Sequence, residues 1–137
     1  MSRKLGLDIG DRRIGVALSD PGGILASPLT IIERKNEASD IAAITALVRQ
    51  HEVSVVIAGL PRCMDGSIGH QAKRVQSFVD KLAAQLDVPV EFQDERLSTH
   101  TAQQFMKEAA GKKRLTRKPD DAIAAAVILQ GYLDEGR

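Results

Sequence analysis

The sequence predicts an α/β fold: a five-stranded mixed sheet with helices on both faces. Three observations predict it. Near the start, apolar residues recur at every second position, the period of a strand with one covered face. From Asn36 onward the period lengthens to three and four, as in helices packed on a core. Between two such stretches, Val53-Ser54-Val55-Val56-Ile57-Ala58-Gly59 is almost continuously apolar, as expected of a parallel strand covered on both faces.

Each element has its own justification. In the first strand, about Lys4 to Gly10, Leu5, Leu7 and Ile9 alternate with Gly6, Asp8 and Gly10. Asp11-Arg12-Arg13 is a turn, and a second strand follows from Ile14 to Ser19. Asp20-Pro21-Gly22-Gly23 is a strong turn signal. The third strand lies within Ile24 to Ile32, where Pro28 indicates an edge position or an irregularity. Connections this short favour an antiparallel meander. Asn36 can cap a helix with Ile41, Ile44, Leu47 and Val48 in one stripe. After the apolar strand, Ala72, Val75, Val79, Leu82 and Leu86 mark a second helix. Pro89 lies in a short strand ending near Phe92. Ser98 or Thr99 can cap a third helix carrying Ala102, Phe105, Met106 and Ala109. Pro119 suits the first turn of a last helix, largely buried because Ala122 through Leu129 is wholly apolar. The order is βββαβαβαα, and crossovers place later strands beside the first, so that strand becomes central.

A chain of 137 residues is expected to form one domain, spanning 1–137, with a real core. At 43% hydrophobic and 27% charged residues, the composition is that of soluble globular proteins. Met1-Ser2-Arg3-Lys4 leads straight into a strand and not into a signal-peptide apolar region. No apolar run is long enough to cross a bilayer, so no membrane partner is expected. Cys63 is the only cysteine, which excludes an intramolecular disulfide and fits a reducing cytoplasm. Net charge is only +1, yet Lys112, Lys113, Arg114, Arg117 and Lys118 cluster with no acid among them. Smaller basic pairs stand at Arg3-Lys4, Arg12-Arg13 and Arg34-Lys35. With no Trp and one Tyr, single-strand binding by base stacking lacks its usual material, whereas phosphate contacts need only Lys and Arg.

Asp8 is the residue that asks for a function. Aspartate is depleted in strands and costly to bury unless paired or metal-bound. Two further acidic clusters exist, Asp94-Glu95 at the carboxyl end of the last strand and Asp120-Asp121 at the start of the last helix. Ligands of open α/β sheets bind at that edge. If the first and last parallel strands flank the central one, the clusters can converge. Gathered carboxylates repel, and a divalent cation removes the conflict; oxygen ligands suit Mg²⁺ or Mn²⁺. The plainer alternatives are an acidic helix start for Asp120-Asp121 and a solvated turn for Asp94-Glu95.

The segment Gly59 to Ser67 leads into a helix whose free N–H groups can hold an anion, with Arg62 adding a cation, or is a plain strand-to-helix connection. His51, His70 and His100 lack metal-ligand spacing and suit exposed or capping positions.

Four ordered blocks carry a resemblance. They are Gly6-Leu7-Asp8-Ile9-Gly10 with Arg13-Ile14-Gly15-Val16-Ala17; Gly59-Leu60-Pro61-Arg62 with Met64-Asp65-Gly66; Asp94-Glu95-Arg96-Leu97-Ser98-Thr99; and Asp121 with Ala124-Ala125 and Ile128-Leu129-Gln130. From end to end the chain resembles the YqgF/RuvX family of bacterial ribonuclease-H-like nucleases. The resemblance implies a ribonuclease-H-like fold, with Asp8, Glu95 and Asp121 as the catalytic, metal-binding triad. Asp121 is preferred to Asp120 because it stands three residues before the Ala-Ala pair. Cys63 departs from the Asn common at that position. The family is associated with trimming the ends of precursor 16S ribosomal RNA, and is also described as a Holliday-junction resolvase by similarity to RuvC.

The expected activity is therefore metal-dependent hydrolysis of phosphodiester bonds in structured nucleic acid. Two Mg²⁺ or Mn²⁺ ions would be bridged by Asp8 and held by Glu95 and Asp121. Arg62, Arg96, Lys112, Lys113, Arg114, Arg117 and Lys118 are the candidate substrate contacts. The expected partners are precursor rRNA, with ribosomal particles, or branched DNA; the protein would be a monomer or a homodimer. Two rivals are an actin-type ATPase, which needs two such domains, and a non-catalytic RNA-binding protein, for which Mg²⁺ is dispensable.

Overall fold

The computed structural model describes residues 3–60, 70–94 and 120–135, with backbone alone at positions 70, 71, 94, 120 and 121. Strands β1 (Arg3–Ile9), β2 (Arg13–Ser19) and β3 (Ala26–Glu33) come first. Then follow α1 (Glu37–Gln50), β4 (Val53–Leu60), α2 (His70–Gln85), β5 (Val90–Asp94) and α3 (Asp120–Glu135). The expected helix over Ala102 to Ala109 falls outside the described residues.

The five strands form one sheet in the order β3-β2-β1-β4-β5. The meander is antiparallel, while β4 runs parallel to β1 and β5 parallel to β4. The first strand is thus central, as the expected crossovers predicted. One expectation needs correction: β1 and β5 do not adjoin, because β4 lies between them. The nearly continuous apolar run of β4 suits that inner position, since both its faces are covered. The last strand also extends to Asp94, beyond the Phe92 end expected, and Pro89 precedes it instead of lying within it; its carbonyl accepts from the Val56 N–H.

Strand alternation sorts the core into two layers. Leu5, Leu7, Ile9, Ile14, Val16, Val56 and Ala58 pack with Ile44 and Val48 of α1 and with Val75, Phe78, Val79 and Leu82 of α2. On the other face, Ala17, Ala26, Val55 and Ile57 pack with Ala125, Ala126, Ile128, Leu129 and Leu133 of α3. The α3 face uses small strand residues, and the reason is distance. A Cβ placed on Gly6 would sit 2.7 Å from Leu129 Cβ and 3.0 Å from the Ala125 carbonyl oxygen.

Local signals behave as their chemistry predicts. Asn36 caps α1, its side chain accepting from the Ser39 N–H at 2.8 Å. Pro28 lies on edge strand β3, where the register with β2 shifts between Val16 and Ala17. The Asp20 carboxylate accepts from the N–H groups of Ile24 (2.7 Å) and Leu25 (3.0 Å), closing the turn in which Gly23 adopts φ 72°. His51 is the C-cap of α1, its N–H bonding to the Leu47 carbonyl.

Candidate functional site

With Leu5, Leu7 and Ile9 committed to the α1/α2 layer, Gly6 and Asp8 belong to the α3 face. Asp8 is half-buried near the carboxyl end of β1. Directly opposite it on β2 stands Gly15. On β4, Leu7 pairs with Ala58, so the same register carried one step further sets Gly59 beside Asp8. Gly6 and Gly10 lie two positions away along β1. Among the described residues, glycine thus flanks Asp8 at its own level on both neighbouring strands.

Helix α3 reaches the same region. Its Ala125–Leu129 turn lies over Gly6. Gln130 accepts from the Ala26 N–H and donates to the Ile24 carbonyl, both at 2.9 Å. Ala26 pairs with Ser19, which lies toward the beginning of β1, since Leu18 pairs with Leu5. The first turn of α3 therefore lies on the side of the carboxyl end of β1. Position 121 stands one helical turn before Ala125, in the stripe that continues through Leu129.

β1, β4 and β5 are parallel, so their carboxyl ends share one edge of the sheet. Gln93 pairs with Gly59 and holds the level of Asp8; Asp94 pairs with Leu60, one step further. Two interstrand spacings separate β5 from β1, roughly 10 Å. That gap is wide for direct contact between carboxylates and suits ions lying between them. Gln93 was not foreseen. It is buried on the α3 face, its amide donating to Glu135 at 2.9 Å, and its place two residues after Glu91 on the same strand face was its only sequence signal. Tyr132, hydrogen-bonded to Glu91, has its pKa raised by burial and by that carboxylate.

Among the described residues no three His, Cys, Asp or Glu side chains gather as metal ligands. Glu95, Arg62, Arg96 and the basic run from Lys112 to Lys118 lie outside the described residues, as do Cys63, Ser67 and His100. Asp121 is described by its backbone alone. What is visible fits a hard cation: a carboxylate oxygen, no competing soft donor and glycine on both sides. No described helix is long and apolar enough to cross a membrane.

On the opposite, α1/α2 side of the same strand end is a cavity of about 200 Å³, lined by Gly10, Asp11, Arg34, Arg74 and Phe78 among others. Arg34, one of the basic pairs noted in the sequence, is not a surface cation. Its Nε donates to Asp40 at 3.0 Å, and Asp40 is only 2% exposed.

Known proteins share both sequence and fold with this chain. A protein of Moorella thermoacetica named "Putative pre-16S rRNA nuclease" is 49% identical over 132 residues, covering 96% of this chain and 94% of its own. One of the same name from a Roseiflexus species is 45% identical over 135 residues, covering 98% and 96%. Among solved structures, Thermus thermophilus RuvC in complex with a Holliday junction substrate superposes with a TM-score of 0.66. It is 14% identical and covers 99% of this chain and 97% of its own. The Fowlpox virus resolvase with its Holliday junction DNA gives 0.60 at 12% identity, covering 97% of each chain. These likenesses show a ribonuclease-H-like fold. The model of the RuvX family, described as Holliday junction resolvase, matches residues 2–135, and the chain therefore belongs to the RuvX family of nucleases.

Proposed function

We propose that this protein is a metal-dependent nuclease that trims the ends of precursor 16S rRNA. Asp8, Glu95 and Asp121 would hold Mg²⁺ or Mn²⁺ ions at the carboxyl edge of the sheet. The observation that carries the reading is the position of Asp8: a half-buried carboxylate on the central strand, with Gly15 opposite and the first turn of α3 on its side. The names borne by relatives at 49% and 45% identity support precursor rRNA as the substrate. The family description favours a second reading, resolution of a four-way DNA junction.

Bound divalent ions would supply an activated water and neutralise charge at the departing oxygen. The chain's residues would do the rest. Asp8 would orient the ions from a rigid strand. Glu95, just after β5, and Asp121, in the first turn of α3, would complete the oxygen set. Arg62, Arg96, Lys112, Lys113, Arg114, Arg117 and Lys118 would grip phosphates without reading bases, so substrate choice would rest on shape. The whole chain, 1–137, would act as one nuclease domain, with no membrane contact.

The test compares wild type and Asp8→Asn on precursor 16S rRNA, a four-way junction and plain duplexes, each with Mg²⁺ or Mn²⁺. Wild type should trim the precursor only with metal present. Asp8→Asn should bind RNA but not cut it. Equal cleavage by both proteins, in preparations free of contaminating nuclease, refutes the mechanism. Cleavage of the junction in preference to precursor RNA selects the second reading.

A further inference from the structure

We propose that Arg34 is a positioning residue, holding the end of β1 so that Asp8 keeps the geometry its ions need. The inference rests on the reading of Asp8 as a metal ligand.

The observations converge on Gly10, two residues beyond Asp8. Its N–H donates to the Arg13 carbonyl at 2.9 Å, and its carbonyl accepts from Arg34 Nη1 at 2.9 Å. The chain leaving β1 is thus held from both sides, by the hairpin and by the guanidinium. Arg34 is itself immobilised from every direction. Its backbone N–H donates to the Arg12 carbonyl at 2.9 Å. Its Nε donates to Asp40 Oδ2 at 3.0 Å, while Asp40 Oδ1 accepts from the Lys35 N–H at 3.1 Å. Its guanidinium carbon lies 4.7 Å from the centre of the Phe78 ring, within cation–π range. Arg34 therefore ties the β1–β2 hairpin to the first turn of α1, through Asp40, and to α2, through Phe78.

Only a guanidinium can do this. Its planar fork presents donors in fixed directions, so one side chain can bond Asp40 and the Gly10 carbonyl while its face rests on Phe78. A lysine ammonium reaches one acceptor well and leaves the other. The surroundings also argue against a role in gripping substrate. The Arg34 side chain is 21% exposed and its charge is answered by a buried carboxylate. A phosphate grip would need a cation free to face solvent.

Asp8 stands two residues before Gly10, the first residue past β1, and a cavity of about 200 Å³ opens beside Gly10 on the α1/α2 side, so the Arg34 bond is what ties the Gly10 carbonyl to that layer. Catalytic groups must be held within about 0.5 Å of the productive position. A misplacement of about 1 Å can cost about a hundredfold in rate.

The experiment measures Mn²⁺ binding by calorimetry, amide exchange over residues 8–13 and thermal melting, using the full chain. Four proteins are compared: wild type, Asp8→Asn, Arg34→Lys and the double variant Arg34→Met with Asp40→Leu. The double variant removes both charges together, because removing one alone leaves a buried charge and endangers folding. We expect Asp8→Asn to lose Mn²⁺ binding. Arg34→Lys and the double variant should melt cooperatively yet bind Mn²⁺ about tenfold more weakly, with faster exchange at Gly10 and its neighbours. A merely structural role would move melting and leave binding by the folded protein unchanged. Wild-type Mn²⁺ affinity in both Arg34 variants, with binding lost in Asp8→Asn, overturns the proposal on its own. Wild-type affinity in Asp8→Asn overturns it by removing its premise, and the two failures are thereby distinguished.

Discussion

Replacing Gly6 with alanine probes how closely the sheet and α3 must approach for Asp8 and the first turn of that helix to share a site. The added Cβ would lie 2.7 Å from Leu129 Cβ and 3.0 Å from the Ala125 carbonyl oxygen. Favourable carbon–carbon separation is about 3.5–4.0 Å, so helix and strand must part by roughly 1 Å. The obstruction is a Cβ and a backbone oxygen, and neither can be rotated away. Overpacking of this kind costs about 1–3 kcal/mol. Alanine recovers roughly 0.5–1 kcal/mol through its lower unfolded-state entropy and better fit to a strand. Taking the middle of each range, the net loss is about 1 kcal/mol, or roughly 3–5 °C in Tm for a chain of this size. Urea unfolding followed by circular dichroism should show a lower midpoint at unchanged slope. Trimming Leu129 to alanine in the same chain should not restore the loss, because the Cβ remains. Nuclease activity, measured where both proteins are fully folded, should fall further than stability, since the parting acts between Asp8 and α3. A Gly6→Ala protein as stable as wild type would refute the packing argument. One that is less stable but fully active would refute its link to the site.

Three further outcomes follow from single interactions. Asp20 has its pKa lowered from 3.8, chiefly by the N–H groups of Leu25 and Ile24. Because its folded value lies below the unfolded one, its contribution is fully present above about pH 4 and lost as pH falls through the folded value. Melting curves from pH 6 to pH 2 should show a shallower acid limb for Asp20→Asn than for wild type. Asn36→Ala removes the bond to the Ser39 N–H and should cost about 1 kcal/mol, read as a shifted urea midpoint. Neutralising Lys112, Lys113 and Arg114 together should weaken RNA binding with little sequence preference and flatten its dependence on salt, checked by binding titrations at several ionic strengths.

Much of the fold was legible because its signals are periodic. Leu5, Leu7 and Ile9 lie on one covered face, and the run from Val53 to Gly59 is an inner parallel strand. Asn36 caps the helix it precedes. Phe78 was missed, although it is 2% exposed and lies in the stripe between Val75 and Val79. Asp40 was missed for a different reason: an acid in the first turn of a helix is expected on dipole grounds alone, and nothing local marks it as buried. Arg34 stood out only as half of a basic pair, because its partners, Gly10, Asp40 and Phe78, share no spacing with it. Of the candidate site, Asp8 was legible as a polar residue between glycines; the glycine opposite it on β2 could not be seen without the register.

Periodicity and order along the chain were enough to read the described strands and helices in succession, the central place of the first strand and the blocks that mark the family. Those properties are written in local period and local order, which backbone geometry converts directly into faces and ends. Folding added what no stretch of chain shows alone: β4 separates β5 from β1, Gly15 stands opposite Asp8, α3 descends onto Gly6, and Arg34 grips the end of β1. Each depends on register or contact between residues far apart in the chain. Such pairings are selected by the packing of whole faces against one another, and no local pattern records them.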